Sequence, residues 1–387
     1  MNILMLNYEY PPIGGGAGRI SKNIANQLVI LGHNVTVITT WYKSTEKKEI
    51  APQKPTIIRI KSKRKKQFES NPLEMYDWIQ KSWKFLQKHL IENKYDICFA
   101  NFTIPGGWLA YKIKKKFQIP YCIISHGHDI PWFYKKQMFF YHLVTYFLIK
   151  KIVNKAHYLF VQSKFMKKNA EKFVGKNYLK KIIQIPNGVD APLIDYNKRK
   201  NEPLTILFVG RLVKQKNPVV FIKAMKRLSK MQIPYHAYII GDGKLRNMLE
   251  KLIRKLKLNH VLITGWLDNK EVWKYYEKSH IMVMPSEIEG MSISNLEALS
   301  AGLYLIATPV SGNIEMFECC ANGELVPINN DKEIANAIQR FYFEQYLSKK
   351  EFIAEKNLNK FYQIFSWQNI AKTYNKYLLQ MVNQNVD

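Results

Sequence analysis

Short apolar runs of strand composition, most of them ending at a glycine, a proline or a polar cluster, recur along this chain and alternate with stretches of helical composition. Met1–Leu6 leads into Gly14-Gly15-Gly16 and a helix-like stretch to Leu31, and Val35–Thr39 follows, which makes a βαβ start. Tyr95–Ala100, Tyr121–Ile124, His157–Val161 and Ile182–Ile185 continue this first series. Thr205–Val209, Tyr238–Ile240, Val261–Thr264 and Ile281–Met284 form a second. Strands joined through helices pair in parallel, so the expected fold is α/β, built from doubly wound parallel sheets. With 387 residues and 47% hydrophobic content, the chain is long for one core and comfortable for two domains. The polar, loosely patterned residues 191–203 read as the linker between them.

The second series carries the densest chemistry. Ile281–Met284 stops at Pro285, passes through a polar turn with Gly290 and enters the helical Leu296-Glu297-Ala298-Leu299. A strand, a tight turn and a helix put free backbone N–H groups and the positive end of a helix dipole at the carboxyl edge of a sheet, ready for an anion. Glu289 and Glu297 flank that junction, and paired acids beside an anion site suit a ligand that is part phosphate and part polyhydroxyl. Ser294–Glu297 also fits a capping box, in which Glu297 only secures its own helix, and Glu289 fits equally a surface acid in a turn. Arg211 and Lys216 share the loop after Thr205–Val209, where a guanidinium fork and an ammonium can together neutralise a diphosphate. In the first series, the glycines at 14–16 let backbone approach a ligand with no Cβ in the way. They do not form a dinucleotide fingerprint: the spacing is not G-x-G-x-x-G, and no acid follows the second strand to hold a ribose. Ser125-His126-Gly127-His128-Asp129 places a polar cluster at another strand's end; for His128 a satisfied structural histidine is the better account.

Charge and cysteine usage narrow the classes further. Cys98, Cys122, Cys319 and Cys320 show no C-x-x-C spacing, so neither a zinc site nor a disulfide framework is indicated, and a reducing compartment follows. The first residues lack a basic start and a cleavage site, so a cytoplasmic protein is expected, with the inner face of the cytoplasmic membrane as a peripheral location. The net charge of +29 is concentrated in the first half: residues 1–186 hold 32 Lys+Arg against 10 Asp+Glu, and the remainder 27 against 20. Blocks such as Lys61–Lys66 and Lys114–Lys116 would attract an anionic membrane leaflet or nucleic acid; lysines that merely solvate the surface explain them equally well. No nucleic-acid recognition motif accompanies the charge. Trp78, Trp83, Phe85 and Leu90 have helical spacing and read as core. From Pro131 to Val153 aromatic residues (Trp132, Tyr134, Phe140 and Phe147 among them) alternate with lysines, which suits a membrane interface; a helix packed on a sheet with snorkelling lysines is the favoured account.

Glu289 and Glu297, followed by Ala298 and Ala301-Gly302, resemble the paired-glutamate signature of glycosyltransferase family 4, retaining enzymes of the GT-B fold that use a nucleotide-diphosphate sugar. The glycine loop at 14–16, the His126–Asp129 segment, Pro186-Asn187-Gly188-Val189-Asp190, Gly210–Pro218, the turns at Gly241 and Gly265, Thr308–Glu315 and Phe365-Ser366-Trp367 are similar to family landmarks in the same order. The resemblance implies two Rossmann-like doubly wound parallel-sheet domains facing across a cleft. Residues 1–186 would bind the acceptor and residues 187–387 the donor, with a terminal helix from about 366 crossing back onto the first domain. Glu289, His126, Arg211 and Lys216 would be catalytic. The donor would meet Gly15, Gly16, Arg211, Lys216, Gly241, Gly265, Glu289, Gly290, Met291, Ser292, Ile293 and Glu297, and the acceptor His126 and Asp129. The implied activity is hexosyl transfer to a hydroxyl of a glycan or lipid-linked acceptor in cell-surface polysaccharide or glycolipid synthesis. No Asp-x-Asp motif is present, which agrees with chemistry that needs no metal and no cofactor beyond the co-substrate. The alternatives are a sugar-nucleotide epimerase or phosphorylase on the same fold and, from charge alone, a basic nucleic-acid-binding protein.

Overall fold

The computed structural model describes residues 1–384 except 44, 68, 134–137, 191–193, 195–198, 200–202 and 349–354. The expected linker 191–203 lies almost wholly outside the described residues, as does Tyr134. The chain divides into two compact units, one formed by residues 1–187 with 367–387 and the other by residues 188–366.

The first unit is built on an eight-stranded sheet. Its strands are β1 (Asn2–Leu6), β2 (Asn34–Thr40), β3 (Lys48–Glu49), β4 (Thr56–Ile60), β5 (Ile97–Asn101), β6 (Tyr121–Ile124), β7 (Leu159–Val161) and β8 (Ile182–Gln184). They lie in the order β3-β4-β2-β1-β5-β6-β7-β8, parallel except for the β3–β4 pair. Continuous apolar strands such as Ile3–Leu6 and Ile97–Ala100 are fully buried, because helices cover a parallel sheet on both faces. Helix α1 (Gly16–Ile30) turns Ile20, Ile24 and Leu28 inward at helical spacing. Helix α2 (Pro72–Glu92) starts at a capping box formed by Asn71 and Glu74, and its Trp78 packs edge-on against Tyr8. The segment Phe139–Lys155, here α3, buries Ile149, Ile152 and Val153. The packed helix favoured from the sequence holds for that side alone, since Phe140, Val144 and Phe147 stand in solvent. The final helix, Trp367–Asn383, belongs to this unit: Tyr374 packs on Phe99 and Phe160, and Asn375 Oδ1 lies 2.7 Å from His33 Nε2.

The second unit holds a six-stranded, wholly parallel sheet. Its strands are β9 (Thr205–Val209), β10 (His236–Ile240), β11 (Val261–Gly265), β12 (Ile281–Met284), β13 (Tyr304–Ala307) and β14 (Gly323–Leu325), ordered β11-β10-β9-β12-β13-β14. β9 has β10 on one side and β12 on the other, so the winding reverses beside it; in open α/β sheets ligands bind outside the carboxyl ends of strands at such a reversal. β1 of the first unit stands in the same position, between β2 and β5.

Arg199 is buried in the second unit, where its guanidinium donates to the carbonyls of Tyr276, Glu277, Ala301 and Gly302 and so caps the ends of two helices. Its own carbonyl lies 3.1 Å from His280 Nε2, while His280 Nδ1 accepts from the Thr205 N–H. Burial, and then the Arg199 charge, hold the His280 imidazole down at about 4. Because that value is depressed below the ordinary His value near 6.5, its contribution is fully present above about pH 6.5 and is lost as pH falls towards about 4. Unfolding midpoints measured from pH 7 to pH 4 are therefore expected to drop, and His280→Gln, which cannot take up the proton, to show the shallower drop. An equal slope in both proteins would contradict this assignment.

Candidate active site

In the second unit the predicted residues gather at the carboxyl ends of β9, β10, β11 and β12. The loop after β9 and the turn after β12 are sewn together: Glu287 N–H donates to the Gln215 carbonyl at 2.8 Å, and Gln215 Nε2 to the Ile288 carbonyl at 3.0 Å. This seam brings Lys216 Nζ to 2.5 Å from Glu289 Oε1, which also accepts from Ser286 Oγ at 2.8 Å. Both side chains are largely buried. Arg211, on the same loop as Lys216, is exposed. Ser286 is anchored in turn, its carbonyl accepting from Thr308 Oγ1 at 2.6 Å.

Gly290, Met291 and Ser292 run from that turn into the helix Ile293–Ser300. Gly312 N–H donates to the Gly290 carbonyl at 2.8 Å; a Cβ on Gly312 would stand 2.6 Å from that oxygen, so the close approach needs a glycine. The cap of the helix is Ser292, whose buried Oγ makes no capping hydrogen bond and has no partner among the described residues. The first-turn N–H groups are thus left without a side-chain cap, the arrangement that favours an anion. The capping box suggested by Ser294 and Glu297 does not form, because Ser294 already lies inside the helix. Glu297 is instead buried and accepts from Tyr276 OH at 3.2 Å.

The two glycine turns stand next to each other. Gly210 N–H donates to the Ile240 carbonyl at 2.9 Å, Leu212 N–H to the Asp242 carbonyl at 2.9 Å, and Gly241 N–H to the Gly265 carbonyl at 2.8 Å. Beside Gly265 lies Arg246, tied to Asp242 and Glu250. Gln215, Ser286, Tyr276 and Arg246 were not singled out in the sequence; the contacts of Gln215 with Ile288 and of Tyr276 with Glu297 arise only when separate elements meet.

The first unit holds the other predicted residues. Gly15 caps and Gly16 opens α1 at the end of the loop that follows β1, and no atom lies within 4 Å of where a Cβ on Gly15 would be. Ser21 on α1 receives Asn7 Nδ2 at 2.7 Å and lies 2.6 Å from Asn101 Oδ1, which is also 3.2 Å from His126 Nε2. Asn101 Oδ1 is an acceptor, so the His126 tautomer that satisfies this contact carries its hydrogen on Nε2. Burial, helped by His128, pushes the His126 pKa down to about 3, so the ring is neutral near pH 7. Phe102 lies against it, ring centres 4.7 Å apart.

Asp129, expected to touch the acceptor, points inward. Its carboxylate accepts from Ser125 Oγ, the His126 N–H and the Thr103 N–H, and it fixes the loop that carries His126. No group of His, Cys, Asp and Glu able to hold a metal ion occurs among the described residues.

Comparison with known proteins follows the same division. Residues 14–192 match the family model described as Glycosyltransferase Family 4, and residues 193–360 the one described as Glycosyl transferases group 1. An uncharacterized glycosyltransferase of Methanocaldococcus jannaschii is 27% identical over 98% of this chain and 99% of its own. The UDP-Gal:alpha-D-GlcNAc-diphosphoundecaprenol alpha-1,3-galactosyltransferase of Escherichia coli is 32% identical over 53% of this chain and 56% of its own. Among solved structures, sucrose-phosphate synthase from Thermosynechococcus elongatus superposes with a TM-score of 0.83 at 20% identity, covering 99% of this chain and 100% of that one. Anabaena HepE with UDP and glucose gives 0.72 at 17%, covering 98% and 100%. Two family models that meet end to end, and a fold shared over the whole length, lead to one conclusion: the chain belongs to the family 4, group 1 glycosyltransferases of GT-B fold.

Proposed function

We propose that this glycosyltransferase moves a hexosyl group from a nucleotide-diphosphate sugar to a hydroxyl of a glycan or lipid-linked acceptor, with retention of anomeric configuration and without a metal ion. The observation that carries the proposal is the buried Lys216–Glu289 pair beside an uncapped helix start, at the strand ends where the winding reverses. A cation and free N–H groups answer a diphosphate; a carboxylate at hydrogen-bonding distance from the same cation answers the hydroxyls of the sugar attached to it.

In the reaction the bond from the anomeric carbon to the diphosphate oxygen breaks as the acceptor oxygen bonds to that carbon, and the acceptor's proton passes to the leaving phosphate. Arg211, Lys216 and the N–H groups from Gly290 to Ile293 stabilise the charge that develops on the diphosphate, the task a metal would otherwise perform. Glu289 orients the sugar, Glu297 bonds the ribose, and the backbone at Gly241 and Gly265 meets the base. In the first unit, Gly15 and Gly16 leave backbone open to a ligand, and neutral His126 is set to bond a ligand hydroxyl, with Asp129 as its positioning residue. An E. coli relative is named for a UDP-galactose donor and a diphosphoundecaprenol-linked acceptor, and a Bacillus subtilis one as putatively a teichuronic acid enzyme; both support an acceptor in cell-surface glycan synthesis. The same setting makes the cytoplasmic face of an anionic membrane the place of work.

A panel of nucleotide sugars tests the proposal through thermal unfolding. Ligand at about 100 times its Kd stabilises a protein by about 2.7 kcal/mol, so one donor is expected to raise the midpoint by several degrees, and a chelator to leave turnover unchanged. No shift with any nucleotide sugar would defeat the proposal.

A further inference from the structure

Residues 130–170 contain eight lysines and neither aspartate nor glutamate. Helix α3 lies within this stretch, and its two sides differ sharply. Ile149, Ile152 and Val153 are buried, and His142 Nε2 donates to the His128 carbonyl at 3.0 Å. On the other side, at i, i+3, i+4 and i+7, Phe140, Leu143, Val144 and Phe147 are 80%, 63%, 85% and 81% exposed. Large apolar side chains in one continuous stripe are rare on a surface that meets only water. One and two turns further along the same stripe come Lys151 and Lys155. Lys114 Nζ reaches the Lys155 carbonyl at 3.0 Å, and Lys181 Nζ reaches the Ala156 carbonyl at 3.3 Å, so ammonium groups gather at the carboxyl end of the helix.

We propose that this side of α3 lies on an anionic lipid bilayer, with Phe140, Leu143, Val144 and Phe147 entering the acyl boundary and Lys114, Lys151, Lys155 and Lys181 meeting headgroup phosphates. An amphipathic helix with an apolar stripe and flanking lysines binds in this manner, and its affinity grows with both the buried apolar area and the anionic charge. Charge also selects the lipid over a second copy of the chain. Two copies joined through this side would each bring the surplus of 32 Lys+Arg over 10 Asp+Glu carried by residues 1–186, and these surpluses repel. The inference deepens the membrane part of the function proposed above and rests on it. It identifies the surface that would hold the enzyme beside a lipid-linked acceptor.

Flotation of the full-length protein with vesicles tests this docking. Wild type is expected to float with phosphatidylglycerol-containing vesicles and not with pure phosphatidylcholine, and to be released in part by salt. The Phe140→Ser/Phe147→Ser variant is expected to bind about tenfold or more weakly, since two aromatic side chains no longer leave water. Lys151→Gln/Lys155→Gln should weaken binding and flatten its salt dependence. No flotation of the wild type, or equal flotation of the serine variant, overturns the proposal. So does a wild-type dimer in sedimentation velocity that the serine variant turns into a monomer, because a second copy would then cover the stripe. Should the serine variant lower the unfolding midpoint, Val144→Ser alone is read in the same way. Nucleotide-sugar stabilisation on the same preparation separates a failure of docking from a failure of the proposed activity.

Discussion

Glu289→Gln is expected to lower turnover by about a hundredfold or more while shifting the unfolding midpoint by only a few degrees. Glutamine has the same volume and keeps an oxygen to accept from Ser286 Oγ, so the turn after β12 loses no anchor. What disappears is the charge 2.5 Å from Lys216. A buried cation deprived of its partner ordinarily destabilises a fold strongly, yet here the side chain is 12% exposed and belongs to a loop held to the turn by two hydrogen bonds of its own. A Lys216 released from Glu289 also holds phosphate better, so donor KM is expected to stay level or fall while kcat drops. That split separates the two accounts of the residue. A turn-stabilising acid would raise KM and lower the midpoint together; a group that acts on the sugar in the transition state changes kcat. Wild-type activity in the variant would remove Glu289 from the mechanism.

The fold class was legible because the βα alternation is local and repeated, but four strands escaped the sequence reading for identifiable reasons. β3 has two residues and β14 three, and neither length shows a periodicity. β4 lies among lysines and prolines and carries Arg59, a residue foreign to buried strands until Glu49 on the neighbouring strand is seen 2.8 Å away. β13 has four residues and follows the preceding helix after only three, too short a run to stand out as a strand of its own. At the site, residues whose meaning is carried by the backbone could be recognised in sequence: Gly241 and Gly265 sit at strand ends, and strand ends of one sheet meet. Residues whose meaning depends on a partner across the sheet could not. Glu297 fitted a capping pattern three residues from Ser294, and only the helix start at Ser292 shows that its partner is Tyr276. The acceptor role of Asp129 was implied by the resemblance of the His126–Asp129 segment; the N–H groups of Thr103 and His126 that consume its carboxylate are invisible until β5 and β6 lie side by side.

Two glycine-to-alanine changes should separate what a glycine does for the fold from what it does for the ligand. Gly241→Ala places a methyl 2.0 Å from the Gly210 carbonyl oxygen at a residue with φ of +140°. Neither neighbour can give way, because Gly210 N–H is bound to Ile240 and Gly241 N–H to Gly265. Left-handed strain and overpacking each cost about 1–3 kcal/mol, so a loss of about 3 kcal/mol or more is expected, a large part of the roughly 5–15 kcal/mol that holds a domain together. Gly15→Ala meets nothing within 4 Å and has no positive φ, so the unfolding midpoint should not move. If backbone at Gly15 passes close over the donor phosphates, however, the added methyl stands in their path and donor KM should rise about tenfold or more, the effect of losing roughly 1.4 kcal/mol of binding. Calorimetry and donor titration on the two variants give opposite patterns under this account: a stability loss at Gly241, and an affinity loss alone at Gly15. An unchanged KM in Gly15→Ala would take the glycine loop out of the donor site and leave it as a turn that merely starts α1.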